Sequence, residues 1–430
     1  MTIGIGLLGC GTVGGGVVRL LAARAREIAE RVGEPVEIVD VAVRDLAKTR
    51  VAELGSVRLH AKPESVVDNP DVDVVVELMG GLEPARTLVL SAIAKKKPVV
   101  TANKALLAHH GPEIFAAARE AGVDVAFEGS VGGGIPVVRT LRDALAGDAV
   151  KRLVAILNGT SNYVLTRMQR EGLGFDEVVR EAQRLGYAEA DPSLDVDGHD
   201  AAHKLTVLSM LAFGARVDPS SIPTTGLRAL EPIDHTSADR FGYVVKPLAV
   251  AEDVGPSLSL RVGPTLVRKD ALLASVSGVL NAVLLEGNAL GPCVLSGRGA
   301  GDGPTAVSVV SDLLDVARAR RAKSEGLLTA AVRAEPRNVR DAGEAVSPYY
   351  LRFVVKDRPG VLGRITTALG GSGVSIREVV QQGRGSAEIP VDVVMLTHAS
   401  SLASVTEALA VVDREDFTVE PTRVLPVEEG

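Results

Sequence analysis

The sequence predicts an α/β protein: a doubly wound parallel sheet, a mixed α+β region after it, and a small βαββαβ unit at the end. Three observations predict this. In roughly the first 130 residues, short β-branched runs alternate with helical patterns. The first of those runs empties into a glycine-rich turn that opens a helix. From residue 349 onward a separate strand–helix rhythm starts afresh.

Taken in order, Ile3–Leu8 reads as a buried strand, followed by Gly-Cys-Gly-Thr-Val-Gly and a helix over about 15–29. Residues 36–43 form a second strand, ending at Arg44-Asp45. Strands at 72–78, 98–101 and 123–127 follow. The helix over 84–96 carries its basic residues in the last turn, where the helix dipole favours them. The middle changes character, with a helix at 137–145 and a strand at 150–157. Helices at 175–185 and 199–213 and strand-like runs at 243–250 and 275–285 suggest a sheet covered on one face. A second glycine loop, 297–303, precedes a helix over 305–319 that is expected to return to the first domain. Residues 321–347 are charged and aperiodic and read as a linker. The tail gives strand 349–355, helix 361–369, strands 374–381 and 389–397, helix 402–411 and strand 418–425. The expected domains are therefore 1–135 (completed by about 300–320), 136–300, and 348–430 beyond the linker.

Length and composition narrow the function. At 430 residues, two or three domains are expected. Hydrophobic residues at 46% supply ample core, and 23% charged residues fit a globular chain. Aromatics at 3% and the absence of Trp argue against base stacking. A net charge of -7 gives no basic footprint for nucleic acid. Two cysteines, Cys10 and Cys293, fit a reducing cytoplasm rather than a disulfide framework. The apolar start lacks a basic n-region and is interrupted by Gly9, Gly11 and Gly14. No apolar run approaches the roughly 20 residues that span a bilayer. A soluble cytoplasmic protein with no membrane partner is expected.

The turn Gly9-Cys10-Gly11-Thr12-Val13-Gly14 matches G-x-G-x-x-G after a strand and before a helix. Gly9 allows the tight turn, Gly11 lets a pyrophosphate approach the backbone, and Gly14 lets helix and strand pack closely. A nicotinamide dinucleotide is the expected cofactor; a tight turn without ligand is the alternative. Arg44 stands where an NAD enzyme carries its ribose-binding acid, which favours NADP, although Asp45 beside it blurs the signal. Lys104 follows the fourth strand at the edge where such sheets bind ligands. Residues 128–136 leave the fifth strand as a glycine-rich loop, either a brace for substrate or cation, or an interdomain hinge. Residues 158–163, Asn-Gly-Thr-Ser-Asn-Tyr, touch substrate or cap a helix.

The richest stretch is 185–205, which gathers Glu189, Asp195, Asp200 and Lys204 and runs into an apolar helix. Carboxylates and a lysine at the mouth of a buried helix suit a site that grips a zwitterion and gives a proton to an oxygen. Asp200 and Lys204 are an i, i+4 pair, with the acid placed to aim the base. Burial of the lysine stem would pull its pKa down from ~10.4 and improve proton exchange. A surface ion pair would explain neither Glu189 nor Asp195. The same helix also offers His199 and His203 at zinc-ligand spacing, so a zinc hydrolase is a rival. No clear third ligand follows, and that reading leaves the glycine loop unused.

Together these segments resemble the homoserine dehydrogenase family over nearly the whole chain. The resemblance is carried by residues 9–16, 77–81, 101–106, 130–136, 158–163, 186–205 and 297–310. The tail is similar to an ACT domain, with Asp-Arg-Pro-Gly-Val-Leu at 357–362 as its first strand–helix turn. The resemblance implies NAD(P)-dependent interconversion of L-aspartate 4-semialdehyde and L-homoserine. Lys204 would donate the proton, with Lys104 completing the polar site. Glu189 would bind the substrate ammonium, supported by Asp195 and Asp200, and Thr160 would touch substrate. Thr12, Val13, Arg44, Lys104 and Gly301 would line the cofactor. Glu128, Val131, Gly133 and Ile135 would offer oxygens to a sodium ion. A homodimer or homotetramer and threonine feedback through the tail are also expected. The alternative outside enzymology is a catalytically silent sensor of cofactor and amino acid, for which a retained proton donor would serve no purpose.

Overall fold

The computed structural model describes residues 2–50, 52–55, 57–382 and 389–429. The chain forms two compact units, one of Met1–Gly159, Asp200–Ser221 and Val279–Arg337, the other of Thr160–His199, Ile222–Gly278 and Asn338–Gly430.

The first unit is built on six parallel strands: β1 (Ile3–Leu8), β2 (Val36–Ala42), β3 (Arg58–His60), β4 (Val74–Glu77), β5 (Val99–Thr101) and β6 (Val125–Ala126). Their order is β3-β2-β1-β4-β5-β6, the doubly wound arrangement that reverses direction between β1 and β4. Every residue of β1, β4 and β5 is buried, as strands covered on both faces require. Helix α1 (Thr12–Ala23) starts three residues before the expected point, because Gly14, Gly15 and Gly16 are buried within the helix. The returning helix Asp302–Arg321 packs Ala306, Val309 and Leu313 into this core beside Leu7, Val17 and Leu21. At the crossing, a Cβ on Gly16 would lie 2.9 Å from the Asp302 carbonyl oxygen.

An antiparallel sheet of Val150–Ile156, Leu280–Gly287 and Gly291–Arg298 completes this unit, with the buried helix that starts at His199. The stretch 321–347, expected as a linker, is tied down instead. Arg119 donates to the Val332 carbonyl, Asp124 accepts from the Leu328 amide, and Thr329 is fully buried. Leu328 packs against the core and Val332 is buried, so hydrogen bonds and a short apolar contact together hold residues 327–332.

In the second unit, Tyr243–Asp253 and Ser257–Arg268 form a long antiparallel hairpin. Leu266 and Val267 then pair in parallel with Val427 and Glu428 of the last strand, Thr418–Glu428. That strand joins Tyr349–Lys356, Pro390–Thr397 and Ile376–Gln382 in an antiparallel βαββαβ sheet. Helices Val361–Gly371 and Leu402–Val412 cover the face of Leu351, Phe353 and Met395. Among the described residues no helix is long and apolar enough to cross a membrane.

Candidate active site

In the first unit, Asp200 lies in the first turn of helix His199–Phe213, where the dipole favours an anion, and is 1% exposed. One carboxylate oxygen, Oδ2, accepts from Lys204 Nζ at 2.6 Å, one turn along the helix, and from Asn158 Nδ2 at 2.8 Å. The other, Oδ1, stands 2.5 Å from Lys104 Nζ. Burial works against the charge on Asp200, but the two ammonium groups prevail and hold its carboxyl well below the usual range. Lys204 is itself buried and also donates to the Leu157 carbonyl at 2.7 Å, so its direction is fixed from two sides. Lys104 is half-exposed and gives the cluster a route to solvent.

Lys104 is the first residue of α2 (Lys104–Ala121), soon after β5 at the carboxyl edge of the parallel sheet. A cation at a helix N-terminus opposes the dipole, so Asp200 supplies compensation that the helix does not. Asn103 caps this helix by accepting from the Leu106 amide. Buried Glu77, at the end of β4, binds Thr101 Oγ1 (2.7 Å) and the Met79 amide (2.8 Å). Burial pushes the Glu77 carboxyl up despite these bonds. The sequence marks Asn158 as the start of a polar run that touches substrate or caps a helix, and Glu77 as part of a run carrying the resemblance, but it ties neither to Asp200 or to Thr101. The signal for Glu77 was a lone acid closing a wholly apolar strand.

The glycine turn sits at the same edge, after β1. Gly9 has φ +96, and a Cβ there would meet the Leu78 carbonyl oxygen at 2.8 Å. A Cβ on Gly14 would lie 2.6 Å from the Gly9 oxygen, whereas Gly11 faces open space. Two glycines thus serve packing and one leaves room for a ligand, the division a pyrophosphate cradle needs. No side chain caps α1, so its first amides, at exposed Thr12 and half-buried Val13, suit an anion. Gly301, at φ +118, likewise precedes an uncapped helix. Arg44 is exposed just past β2, and Asp45 beside it accepts from the Ala47 amide. Strands β1 and β5 are two positions apart, roughly 10 Å.

In the 128–136 loop, Glu128 is buried and receives the Val138 and Arg139 amides at 2.8 and 2.9 Å. The Gly133 carbonyl accepts from Ser308 Oγ (2.6 Å) and that of Ile135 from the Val137 amide (2.8 Å). Val131 is fully buried. Arg139 Nε also stands 3.3 Å from Glu128 Oε2, so the carboxylate of this loop already has a cationic partner.

The second unit holds the rest of the predicted set. Glu189 is exposed and Asp195 half-buried, the latter in the short helix Ser193–Val196. Thr160, read as a substrate contact, donates its hydroxyl to the Tyr187 carbonyl at 2.7 Å. Its neighbour Ser161 donates to the Asp195 carbonyl at 2.9 Å. Two consecutive hydroxyls at the start of helix Gly159–Glu171 therefore grip the 185–198 segment.

The zinc reading loses its basis. His203 meets His109 edge to face at 5.2 Å, and Asp200 is engaged by two lysines. Among the described residues no three His, Cys, Asp or Glu side chains gather for a metal ion.

Three family models match in sequence: the homoserine dehydrogenase NAD-binding domain over residues 9–128, homoserine dehydrogenase over 136–314, and the ACT domain over 349–414. Homoserine dehydrogenase of Synechocystis sp. is 46% identical, with 93% of each chain covered. That of Pseudomonas aeruginosa is 42% identical over 99% of this chain and 98% of its own. The crystal structure of a homoserine dehydrogenase from Thiobacillus denitrificans superposes with TM-score 0.94 at 43% identity, covering 100% and 99% of the two chains. A hyperthermophilic archaeal homoserine dehydrogenase in complex with NADPH matches with TM-score 0.63 at 26% identity, covering 74% of this chain and 98% of that one. Identity sustained from the glycine turn through the tail leaves one assignment: the chain belongs to the homoserine dehydrogenase family, oxidoreductases acting on a CH–OH group, here with a C-terminal ACT domain.

Proposed function

We propose that this chain interconverts L-aspartate 4-semialdehyde and L-homoserine, on the way to threonine, isoleucine and methionine, with Lys204 as the proton donor. The observation that carries this reading is the buried Asp200 bridging Lys204 and Lys104 at the ligand-binding edge of the sheet. A nicotinamide cofactor, held by the Gly9–Gly14 turn and the first amides of the helix behind it, would supply or accept the hydride. Lys204 holds a proton at Nζ for the carbonyl oxygen, where charge develops, and takes it back in the reverse direction. Asp200 keeps that ammonium aimed. Its oxygens already face lysines and Asn158, so its part in substrate binding is indirect. Half-exposed Lys104 connects the carboxylate with solvent and, at the carboxyl edge of the parallel sheet, would complete the polar site beside a bound nicotinamide.

Glu189 binds the substrate ammonium, with Asp195 behind it. Thr160 acts chiefly by fixing Tyr187. NADP is preferred over NAD, supported by Arg44 and by the NADPH bound in the archaeal relative. A sodium ion on the Glu128, Val131, Gly133 and Ile135 oxygens would brace the loop without entering the chemistry. Threonine is the effector of the ACT domain, and the working form is a homodimer or homotetramer in the cytoplasm.

NADPH oxidation with aspartate semialdehyde, and NADP against NAD reduction with homoserine, test the reaction. Absence of either rate in folded protein would favour the silent sensor. Threonine is best titrated into full-length protein and an Asp357→Ala variant. Deleting the tail would strip Leu266 and Val267 of their strand partner.

A further inference from the structure

The 185–198 segment carries Glu189 and Asp195, yet little regular structure of its own. Beyond the grip of Thr160 and Ser161, its second half is held by the loop that leads into helix Pro232–Arg240. The Leu227 amide donates to the Val196 carbonyl at 2.9 Å. Arg228 then makes a fork: Nε donates to Asp197 Oδ1 at 2.7 Å and Nη2 to Asp197 Oδ2 at 3.1 Å. The same Nη2 reaches Ser193 Oγ at 2.9 Å, on the other side of Asp195. One guanidinium thus spans the short helix that presents Asp195.

The two segments approach closely at glycines. A Cβ on Gly226 would meet Asp197 Oδ1 at 3.1 Å, and one on Gly198 would lie 2.7 Å from Thr224 Cγ2. The loop itself cannot drift. Val262 of strand Ser257–Arg268 exchanges strand-like bonds with it (Thr225 amide to Val262 carbonyl, 2.9 Å; Val262 amide to Pro223 carbonyl, 2.9 Å). Leu227 and Leu230 are buried anchors. Further on, Asp234 and Glu231 form a reciprocal capping box, and Asp234 binds Arg352 Nε and the Tyr350 hydroxyl, each at 2.9 Å. The strap from Leu227 to Asp234 therefore runs from the segment to the first strand of the ACT sheet.

We infer that Arg228 is a positioning residue for substrate, acting through Asp197 and Ser193 on the backbone that presents Asp195. The inference rests on the proposed reading of 185–198 as the substrate-gripping segment. An isolated exposed ion pair contributes little. A planar fork with a third bond fixes geometry as well as charge, and lysine cannot reproduce it.

The test is steady-state kinetics on the full-length protein with homoserine and NADP. Arg228→Ala is expected to raise the homoserine KM about tenfold or more, with the NADP KM within twofold and kcat within about threefold. Arg228→Lys, which keeps the charge and loses the fork, should recover only part. Asp197→Asn should reproduce the Arg228→Ala phenotype, and the double variant should add nothing further. If Arg228→Ala is insoluble, Asp197→Asn carries the test alone. An unchanged homoserine KM, or parallel losses in kcat and both KM values, would overturn the inference. A parent protein that does not oxidise homoserine would instead remove the functional reading beneath it.

Discussion

Two buried aspartates, one in each compact unit, sit beside cations and titrate in opposite directions. Asp200 faces two ammonium groups and an amide, and its carboxyl is pulled down although burial opposes this. Asp234 is equally buried and accepts from Arg352, Tyr350 and the Glu231 amide, yet burial prevails and its carboxyl is pushed up. The difference lies in how many acids share each cation. Arg352 also reaches Glu231 and Asp392, both at 3.3 Å, and three carboxylates keep it firmly protonated against its own burial. Asp234 receives only part of that one charge. The cations differ in kind as well. A guanidinium does not give up its proton in proteins, whereas an ammonium can exchange one. The Arg352 cluster is thus suited to holding a sheet against a helix, and the Lys204 cluster to passing a proton.

The largest effect should come from removing Lys204, the proposed proton donor. Lys204→Ala is expected to lower kcat by at least roughly 10³-fold. NADP affinity, measured by fluorescence titration, should stay within twofold, because the glycine turn is untouched. Full activity would dissolve the contrast between the two clusters. Lys204→Arg sharpens it further, since charge is kept and the exchangeable proton is lost. A fall of roughly 10²-fold or more is expected in single-turnover rates. Near-normal rates would make Lys204 an electrostatic group only. Asp200→Asn should cost somewhat less, about 10²-fold in kcat, by leaving two ammonium groups facing one another without their counterion.

Much of this was legible before the fold. The glycine turn, the i, i+4 spacing of Asp200 and Lys204, and the βαββαβ tail are local patterns, and the structure places each as an element in the expected order. Lys104 was legible only as a lysine after a strand; its partner lies 96 positions away, from 104 to 200. Asn158 and the Leu157 carbonyl join the cluster through tertiary packing that no spacing encodes. The 18-residue helix Lys104–Ala121 was missed because Gly111 and Pro112 stand in its middle. A Cβ on Gly111 would stand 3.0 Å from the terminal methyl of Met210, a tight contact that this flexible side chain would have to relieve. Strand Ser257–Arg268 hides behind Gly263-Pro264, where the backbone of Thr225 passes closely.

The smallest effect on turnover, and the cleanest test of the contrast, belongs to Asp234→Asn. It should change kcat by less than about threefold, since Arg352 exchanges no proton. Its signature lies in stability against pH. The folded-state pKa of Asp234 is raised above the unfolded value of about 3.9. Its contribution is therefore fully present below about pH 4 and lost as pH rises through the folded value, about 1.4 kcal/mol for each unit of elevation. Asparagine keeps an acceptor for Arg352 but does not titrate. Thermal unfolding from pH 4 to 7.5 should then show the parent losing ground against Asp234→Asn as pH rises. Asp200 has the opposite sign: its folded pKa is depressed, so its contribution is present above about pH 4 and lost as pH falls through the folded value. Asp200→Asn should accordingly be most costly at neutral pH and approach the parent in acid. If both differences ran the same way with pH, Arg352 would be compensating Asp234 as fully as the lysines compensate Asp200. Cation identity alone would then separate the structural cluster from the chemical one.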